Sequence, residues 1–165
     1  MKTSQEGIDL IKNFEGFRAD QYKDSGNIAT IGYGHALRPG ESFVHISPED
    51  AEKLLKEDVA IAERYIQRRL GYIHKQNEFD ALVSFIFNIG VGAFEGSSVY
   101  KFLKLKEQAL ALLWWAKWIR DNRGIVMPGL VARREKEIRV FNGNEKHISE
   151  ERMRELFPVL MKLTA

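Results

Sequence analysis

The 165 residues include no cysteine, which excludes a disulfide framework and a thiolate metal site. The four histidines lack the short spacings, such as HExxH, that bring two histidines onto one metal ion. We therefore expect neither a metal nor any other cofactor. The N-terminal stretch also lacks the apolar run of a signal peptide or membrane anchor. We expect the chain to be made in the cytoplasm, with no stable membrane insertion.

Positive and negative charges are nearly equal in number. Lysine and arginine number 25 and aspartate and glutamate 23, which gives a net charge of +2. So small an excess is compatible with an anionic polymer but does not indicate nucleic-acid binding. Hydrophobic residues make up 44% and charged residues 29%, as in an ordinary globular protein of one domain, which we expect to be a monomer.

Two acids and a strand-like run dominate the N-terminal third. Glu15 ends a helical pattern, Asp24 precedes a turn, and the run over residues 28–35 alternates as a strand does. Thr30, Gly32 and Gly34 share one face of that strand, and glycines at alternate positions permit close approach to the backbone. Two carboxylates, a hydroxyl and bare backbone suit a glycoside hydrolase. Spacing alone favours the alternative, that these are acids in a solvated turn.

The wider motif resembles that of a known family. The string Glu15-x8-Asp24-x5-Thr30, followed by IGYGH, is similar to the catalytic motif of the phage-type lysozymes, the muramidases of glycoside hydrolase family 24. The resemblance implies that Glu15 is the catalytic acid, Asp24 its partner carboxylate and Thr30 the residue that positions water. It also implies a substrate-side position for Gly32.

The element signals, together with this resemblance, predict an α+β, lysozyme-like fold in a single domain over residues 1–165. A small β-sheet lobe covers about residues 14–46, and a long connecting helix covers about 47–69. A larger helical lobe covers about 70–165 and includes helix 1. These helices have recognisable starts: a capping box at Thr3, an N-cap serine before Pro48 and a last helix from Ser149.

Later segments add further candidates. The FNIGVGAF passage resembles the aromatic, amide and glycine segment that lines the sugar cleft in this family, which makes Phe87, Asn88 and Ser97 substrate-side candidates. Each is equally compatible with a core aromatic or a helix cap. Arg133 and Arg134 resemble a paired arginine of which one faces the catalytic acid; the sequence does not say which. At least one of the two is expected on a solvated helix face.

His35 and Asp58 form the last predicted pair. Strand alternation directs His35 away from Thr30, and helical spacing places Asp58 on an inward face where it needs a partner. The resemblance implies that the two form an ion pair tying the small lobe to the connecting helix. The alternative is an exposed histidine and an acid at the edge of the helix stripe.

The function implied by the resemblance is that of an endolysin. Such an enzyme hydrolyses the β-1,4 bond between N-acetylmuramic acid and N-acetylglucosamine in peptidoglycan, with inversion, after release across the host membrane. The partner is then the bacterial glycan strand. Two alternatives remain at this point: a non-catalytic wall-binding module on the same fold, and a nucleic-acid binder suggested by the arginines at 64, 68, 69, 133 and 134. Acids interleave these arginines, which argues against the second.

Overall fold

The chain begins with one helix, forms a short sheet and continues as helices. The structure, a computed structural model, describes residues 1–24 and 26–143; the helix predicted from Ser149 lies outside these ranges. In chain order the described elements are α1 (Gln5–Glu15), β1 (Arg18–Lys23), β2 (Ala29–Gly32), β3 (His35–Ala36), α2 (Pro48–Arg69), α3 (Gln76–Ile89), α4 (Val91–Glu95), α5 (Ser98–Lys104), α6 (Gln108–Trp115) and α7 (Pro128–Phe141). The α+β prediction is confirmed.

The three strands form one antiparallel sheet in the order β1-β2-β3. Thr30 at its centre lies opposite Tyr22 of β1 and Ala36 of β3, while Ile31 lies opposite His35. Residues directly opposite each other share a face of the sheet. His35 therefore lies on the face of Ile31 and away from Thr30, as the alternation predicted. Both Ile31 and His35 are buried.

The continuous strand predicted over residues 28–35 is wrong, because the chain reverses within it. β2 ends at Gly32, and β3 begins only at His35. Gly32 and Gly34 have φ angles of 65° and 82°, in the left-handed region that other residues rarely enter. The period-two pattern continues through this turn because His35 returns to the position facing Ile31.

The connecting helix α2 starts and ends where predicted. The Ser47 hydroxyl accepts the amide of Asp50 at 3.1 Å, and Pro48 occupies the first helical position. Its 22 residues span about 33 Å at 1.5 Å per residue. α2 packs on β2 and β3 and also on α3, so it joins the sheet to the helices. Neither α2 nor any other helix within the described ranges combines the length and apolarity needed to cross a membrane.

α3 lies at the centre of the helical lobe. All its residues from 78 to 86 are buried, as its nearly continuous apolar sequence predicted. α1, α2 and α7 all pack against it. The amide and hydroxyl of Ser4 both donate to Asp80 of α3, at 2.9 and 2.5 Å. The first helix of the chain is thus held to the helical lobe.

The N-cap of α1 is Ser4, and the predicted N-cap Thr3 is wrong by one residue. The Ser4 hydroxyl accepts the amide of Gly7 at 3.1 Å. Thr3 instead donates its amide and hydroxyl to Oε1 of Glu63 on α2, each at 2.8 Å. Both residue types can cap a helix, so the tertiary partner decides which one does.

Candidate active site

A cleft of about 570 Å³ lies where the small lobe meets α2 and α3. The cleft is lined by residues from both lobes: Glu15, Gly34, Ala36, Arg38, Asp58, Ile61, Ala62, Ile86, Phe87, Asn88, Gly90 and Val91. Its wall is mainly apolar with a few polar groups, as is usual for a ligand site. Of the predicted site residues, Glu15, Asp58, Phe87 and Asn88 reach this cleft.

Glu15 enters the cleft from the last turn of α1. The helix stops at Gly16, whose φ of 71° turns the chain away into β1. The Glu15 side chain is 23% exposed, and its Oε1 accepts a hydrogen bond of 2.6 Å from Nη1 of Arg133. A charged hydrogen bond of this length fixes the carboxyl group in one orientation, with Oε2 left towards Gly34.

Gly34, which the alternation places on the same face as Thr30 and Gly32, is the glycine that lines the cleft. A Cβ at this position would lie 3.3 Å from Glu15 Oε2. Gly32, the predicted substrate-side glycine, is buried instead against α2, where an added Cβ would lie 2.9 Å from that of Ala51. The structure therefore gives Gly32 a packing role and places Gly34 beside the acid.

Asp24 and Thr30 lie at the turn end of the β1–β2 hairpin, and neither is among the residues that line the cleft. Oδ1 of Asp24 accepts the amides of Gly26 and Ile28 at 2.8 and 2.9 Å, which holds the turn in place. Within the described residues Oδ2 accepts no hydrogen bond, so it is the oxygen that a water could use. The Thr30 hydroxyl donates to the Ile28 carbonyl at 2.9 Å. Thr30 is 3% exposed, and its hydroxyl accepts no hydrogen bond from the residues that the structure describes.

Tyr22 interacts electrostatically with both acids and was missed by the sequence reasoning. Burial raises the pKa of its phenol; Arg18 opposes that rise, and the negative charges of Glu15 and Asp24 add to it. The phenol is therefore within electrostatic range of both carboxylates. Strand alternation was the available signal, since positions 22 and 24 fall on one face.

Both arginines of α7 are buried, so the expectation of a solvated arginine is wrong. Arg133 is 3% exposed and Arg134 0%. Between them lies Glu137, also fully buried, whose carboxylate is 3.1 Å from Nε of Arg133 and 3.2 Å from Nε of Arg134. Glu137 also accepts from Ser84 and Trp115 at 2.7 and 3.0 Å. A buried counter-ion with these hydrogen bonds makes burial of two arginines possible.

The two arginines have different partners. Arg133 is the one that faces Glu15, and its Nη2 also donates to the Ser84 carbonyl at 3.2 Å. Arg134 donates from Nη2 to Oδ1 of Asn88 at 2.5 Å. Burial lowers the pKa of Arg134 to about 10 against the opposing effect of Glu137, so it remains charged near neutral pH.

The structure separates the three candidates of the FNIGVGAF passage. Phe87 and Asn88 line the cleft, and the bond from Arg134 to the Asn88 oxygen leaves the amide nitrogen as a donor. Ser97 is buried outside the cleft lining. Its hydroxyl accepts the amide of Tyr100 at 3.1 Å and donates to the Phe94 carbonyl at 2.7 Å, which makes it the N-cap of α5.

His35 and Asp58 come together at the base of the small lobe. Nδ1 of His35 is 2.7 Å from Oδ2 of Asp58, and its Nε2 is 2.9 Å from Oε2 of Glu41. Arg38 lies 2.6 Å from the other oxygen of Asp58. Burial acts to lower the pKa of His35, but its hydrogen bonds to the carboxylates of Asp58 and Glu41 outweigh this effect and raise that pKa. The pair is therefore part of a network of four charged side chains.

Comparison with known proteins places this geometry in a family. The phage lysozyme family model matches residues 12–137. The chain is 40% identical over 152 residues to an endolysin of Bacillus phage PZA, covering 90% of this chain and 58% of that endolysin. It is 41% identical over 128 residues to an endolysin of Salmonella phage P22, covering 73% of this chain and 88% of that endolysin.

A solved structure extends the similarity to the fold. The endolysin from Escherichia coli O157:H7 phage FAHEc1 superposes with a TM-score of 0.76 at 33% identity, over 86% of this chain and 93% of that chain. The lysozyme-like fold prediction is thereby confirmed. The chain spans 58% of the length of the endolysins of Bacillus phages PZA and B103. The family match over residues 12–137 includes the cleft, α2 and the part of α7 that carries Arg133. The chain therefore belongs to the phage lysozyme family.

Proposed function

We propose that this chain is the catalytic part of an endolysin that hydrolyses the β-1,4 bond between N-acetylmuramic acid and N-acetylglucosamine in bacterial peptidoglycan. One observation carries the proposal: Glu15 reaches into an interlobe cleft, with its carboxyl group fixed by a buried arginine. Membership of the phage lysozyme family and the endolysin names of its relatives support the same substrate.

In the proposed reaction Glu15 protonates the glycosidic oxygen. Asp24 and Thr30 hold the attacking water, which reaches the anomeric carbon from the opposite face of the sugar. This division of labour corresponds to an inverting hydrolase, in which the carboxyl groups are about 6.5–9.5 Å apart to leave room for water. Oδ2 of Asp24 and the hydroxyl of Thr30 accept no hydrogen bond from the described residues, which supports their assignment to that water.

Tyr22, Asn88 and Phe87 complete the proposed site. The Tyr22 phenol, close to both acids, is placed to hydrogen-bond the sugar or the water. Asn88 offers an amide donor and Phe87 an apolar surface to the sugar ring. His35 and Asp58 take no part in proton transfer on this proposal and serve to hold the small lobe on α2. The enzyme would act on the wall as a monomer after its release from the cytoplasm.

The test is Glu15→Gln, with Glu6→Gln on the same helix as the matched control. Loss of general acid catalysis lowers the rate by about 10²–10⁴. We expect Glu15→Gln to fold, to bind purified peptidoglycan in a sedimentation assay and to fail to clear a peptidoglycan suspension. Clearing at the control rate would disprove the assignment. Peptidoglycan binding without clearing by the native chain would indicate the non-catalytic module, and a DNA gel shift tests the remaining alternative.

A further inference from the structure

A second cavity of about 480 Å³ lies along α2 next to the cleft. It is formed by residues of α2 and the start of α4: Ile61, Arg64, Tyr65, Arg68, Arg69 and Val91. Ile61 and Val91 also line the cleft, so the two spaces share a wall. We call this second cavity the arginine pocket. A ligand lying in the cleft could extend a branch into it without leaving the protein surface.

The arginine pocket carries an excess of positive charge. Arg69 is 3.6 Å from Glu95. Arg64 and Arg68, in contrast, form no salt bridge with any acidic side chain of residues 1–24 and 26–143, and both are exposed. Their spacing of four residues puts them on one helix face, where like charges destabilise the helix. An anion between the two would remove this repulsion.

Tyr65 forms the floor of the arginine pocket. Its ring packs against Phe94 and Tyr100, with centroids 5.9 Å away in each case. Burial raises the pKa of Tyr65, and the neighbouring Tyr100 and Glu95 raise it further. The phenol therefore stays protonated at any pH at which the protein works. The pocket thus combines guanidinium donors with an apolar base, a combination that suits a carboxylate on an aliphatic chain.

We propose that the arginine pocket binds a carboxylate of the stem peptide that branches from the muramic acid of the glycan. The inference rests on the proposed function, since it assumes that the glycan lies in the cleft. Stem peptides are short, acidic and attached to alternate sugars, so one of them leaves the glycan beside the bond to be cleaved. The wall shared through Ile61 and Val91 gives that peptide a direct route from the cleft to Arg64 and Arg68.

The experiment uses three forms of peptidoglycan, each freed of phosphate-bearing wall polymers: intact, with its carboxyls converted to amides, and with its stem peptides removed. The test variant is Arg64→Gln/Arg68→Gln. The matched control is Lys53→Gln/Lys56→Gln, which removes the same charge from exposed positions on the same helix. Lys53 and Lys56 lie outside both the cleft and the arginine pocket. Thermal melting shows that each variant is folded.

On intact peptidoglycan we expect the test variant to raise KM about three- to tenfold with kcat unchanged, as for the loss of two partly exposed ion pairs. The same variant should match the native enzyme on the amidated and peptide-free forms. The native enzyme alone should show the same rise in KM when intact peptidoglycan is replaced by the amidated form. This last comparison tests the proposal even if the double variant does not fold.

Three results would overturn the inference while leaving the proposed function intact. The first is an equal KM for the native enzyme on intact and amidated peptidoglycan. The others are a rise in KM for the test variant that is equal on all three forms, or an equal rise in KM for the lysine control. An effect confined to walls that retain their phosphate polymers would assign the arginine pocket to phosphate and overturn it as well. Failure of the native enzyme to cleave any form would instead contradict the proposed function.

Discussion

At the scale of single residues, the catalytic proposal depends on oxygen atoms being held in place by backbone groups. Asp24 is the example: one carboxylate oxygen closes the turn and the other is left for water. Asparagine can keep the first interaction because its Oδ1 accepts the same amides, but it loses the negative charge. Structure and chemistry are therefore separable at this position.

We expect Asp24→Asn to reduce kcat on peptidoglycan by at least tenfold while changing the free energy of unfolding by less than about 1 kcal/mol, as for other substitutions outside the core. Asp20→Asn is the control, because Asp20 lies on β1, the strand that leads to Asp24, and its exposed carboxylate contacts only His45 among the described residues. Turbidity clearing and thermal melts measure the two quantities. An unfolded Asp24→Asn protein would make Asp24 a structural residue.

Gly34 gives a second prediction at this scale. Alanine there would have to adopt a φ of 82° and would place its Cβ 3.3 Å from Glu15 Oε2. The backbone cost is about 1–2 kcal/mol. Because small displacements of a catalytic group reduce rates strongly, we also expect activity to fall about tenfold or more.

Gly40→Ala separates the two effects of the Gly34 substitution. Gly40 has a φ of 90°, but nothing lies within 4 Å of an added Cβ. It should therefore lose similar stability and keep full activity. Equal activities for Gly34→Ala and Gly40→Ala would mean that Gly34 does not limit the space around the acid.

At the scale of elements, α7 is fixed to the rest of the helical lobe by a buried charge. Glu137 accepts hydrogen bonds from α3 and α6 and neutralises the two arginines of its own helix. The charged residues Arg133, Arg134 and Glu137, which the sequence suggests are solvated, are buried. The position of Arg133, and hence of Glu15, follows from this burial.

We expect Glu137→Gln to destabilise the protein by about 3–5 kcal/mol, because the buried Arg134 would lose its counter-ion and Arg133 would keep only Glu15. Glu135→Gln on the same helix is the control, since Glu135 forms no ion pair within the described residues. Chemical unfolding followed by circular dichroism gives both values. A loss below 1 kcal/mol would show that water or other groups compensate the arginines.

Sequence reasoning succeeded for elements whose signals are local. The bounds of α2 follow from an N-cap serine, a proline at the first position and an apolar stripe, all of which lie within the helix itself. That Ser4 and not Thr3 is the N-cap could not be predicted from the sequence. Glu63 becomes the partner of Thr3, and Asp80 that of Ser4, only in the folded chain. The burial of Arg134 likewise depends on partners from other elements.

The candidate site shows the same division. Glu15, Asp24 and Thr30 were found because a motif keeps them within 16 residues, and the structure sets Glu15 in the cleft. Gly34 was placed on the face of Thr30, but its approach to Glu15 could not be predicted because it depends on the folded chain. Tyr22 was missed although strand alternation places positions 22 and 24 on one face. The turn at Gly32 reverses the chain without disturbing the alternation of residues between the two faces. The alternating pattern therefore could not reveal the turn.

At the scale of the whole molecule, the two lobes are held in register by the network around His35. Each member has more than one partner, because His35 and Arg38 both contact Asp58 and both contact Glu41. Removing one residue therefore does not leave the other charges unpaired. The network should act as a pH-dependent clamp between the sheet and α2.

The signs of the pKa shifts fix the pH range of that clamp. The pKa of His35 is raised in the folded protein, so its contribution is complete below 6.5 and is lost as pH rises through the folded value. Hydrogen bonds from the Arg38 amide and from His35 lower the pKa of Glu41, so its contribution is present above 4.5 and is lost as pH falls through the folded value. The clamp is strongest between these limits.

A double-mutant cycle with His35→Asn and Asp58→Asn measures the clamp. At about pH 5.5 we expect a coupling energy of about 1–3 kcal/mol, below the 3–5 kcal/mol of a stranded charge because each residue keeps another partner. The coupling should be smaller at about pH 9, where the imidazole is neutral. Additive effects at the acid pH would show that the two side chains do not interact in solution.

The bond between Arg133 and Glu15 joins residues 118 positions apart. A ribosome making this chain therefore releases the whole catalytic motif long before it makes the arginine that orients the acid. Until α7 has emerged and packed on α3, the motif is present but unassembled, and any fragment that ends before α7 carries the sequence signature of a lysozyme without its aligned acid. The order of the helices along the chain therefore sets a delay between synthesis of the motif and completion of the site.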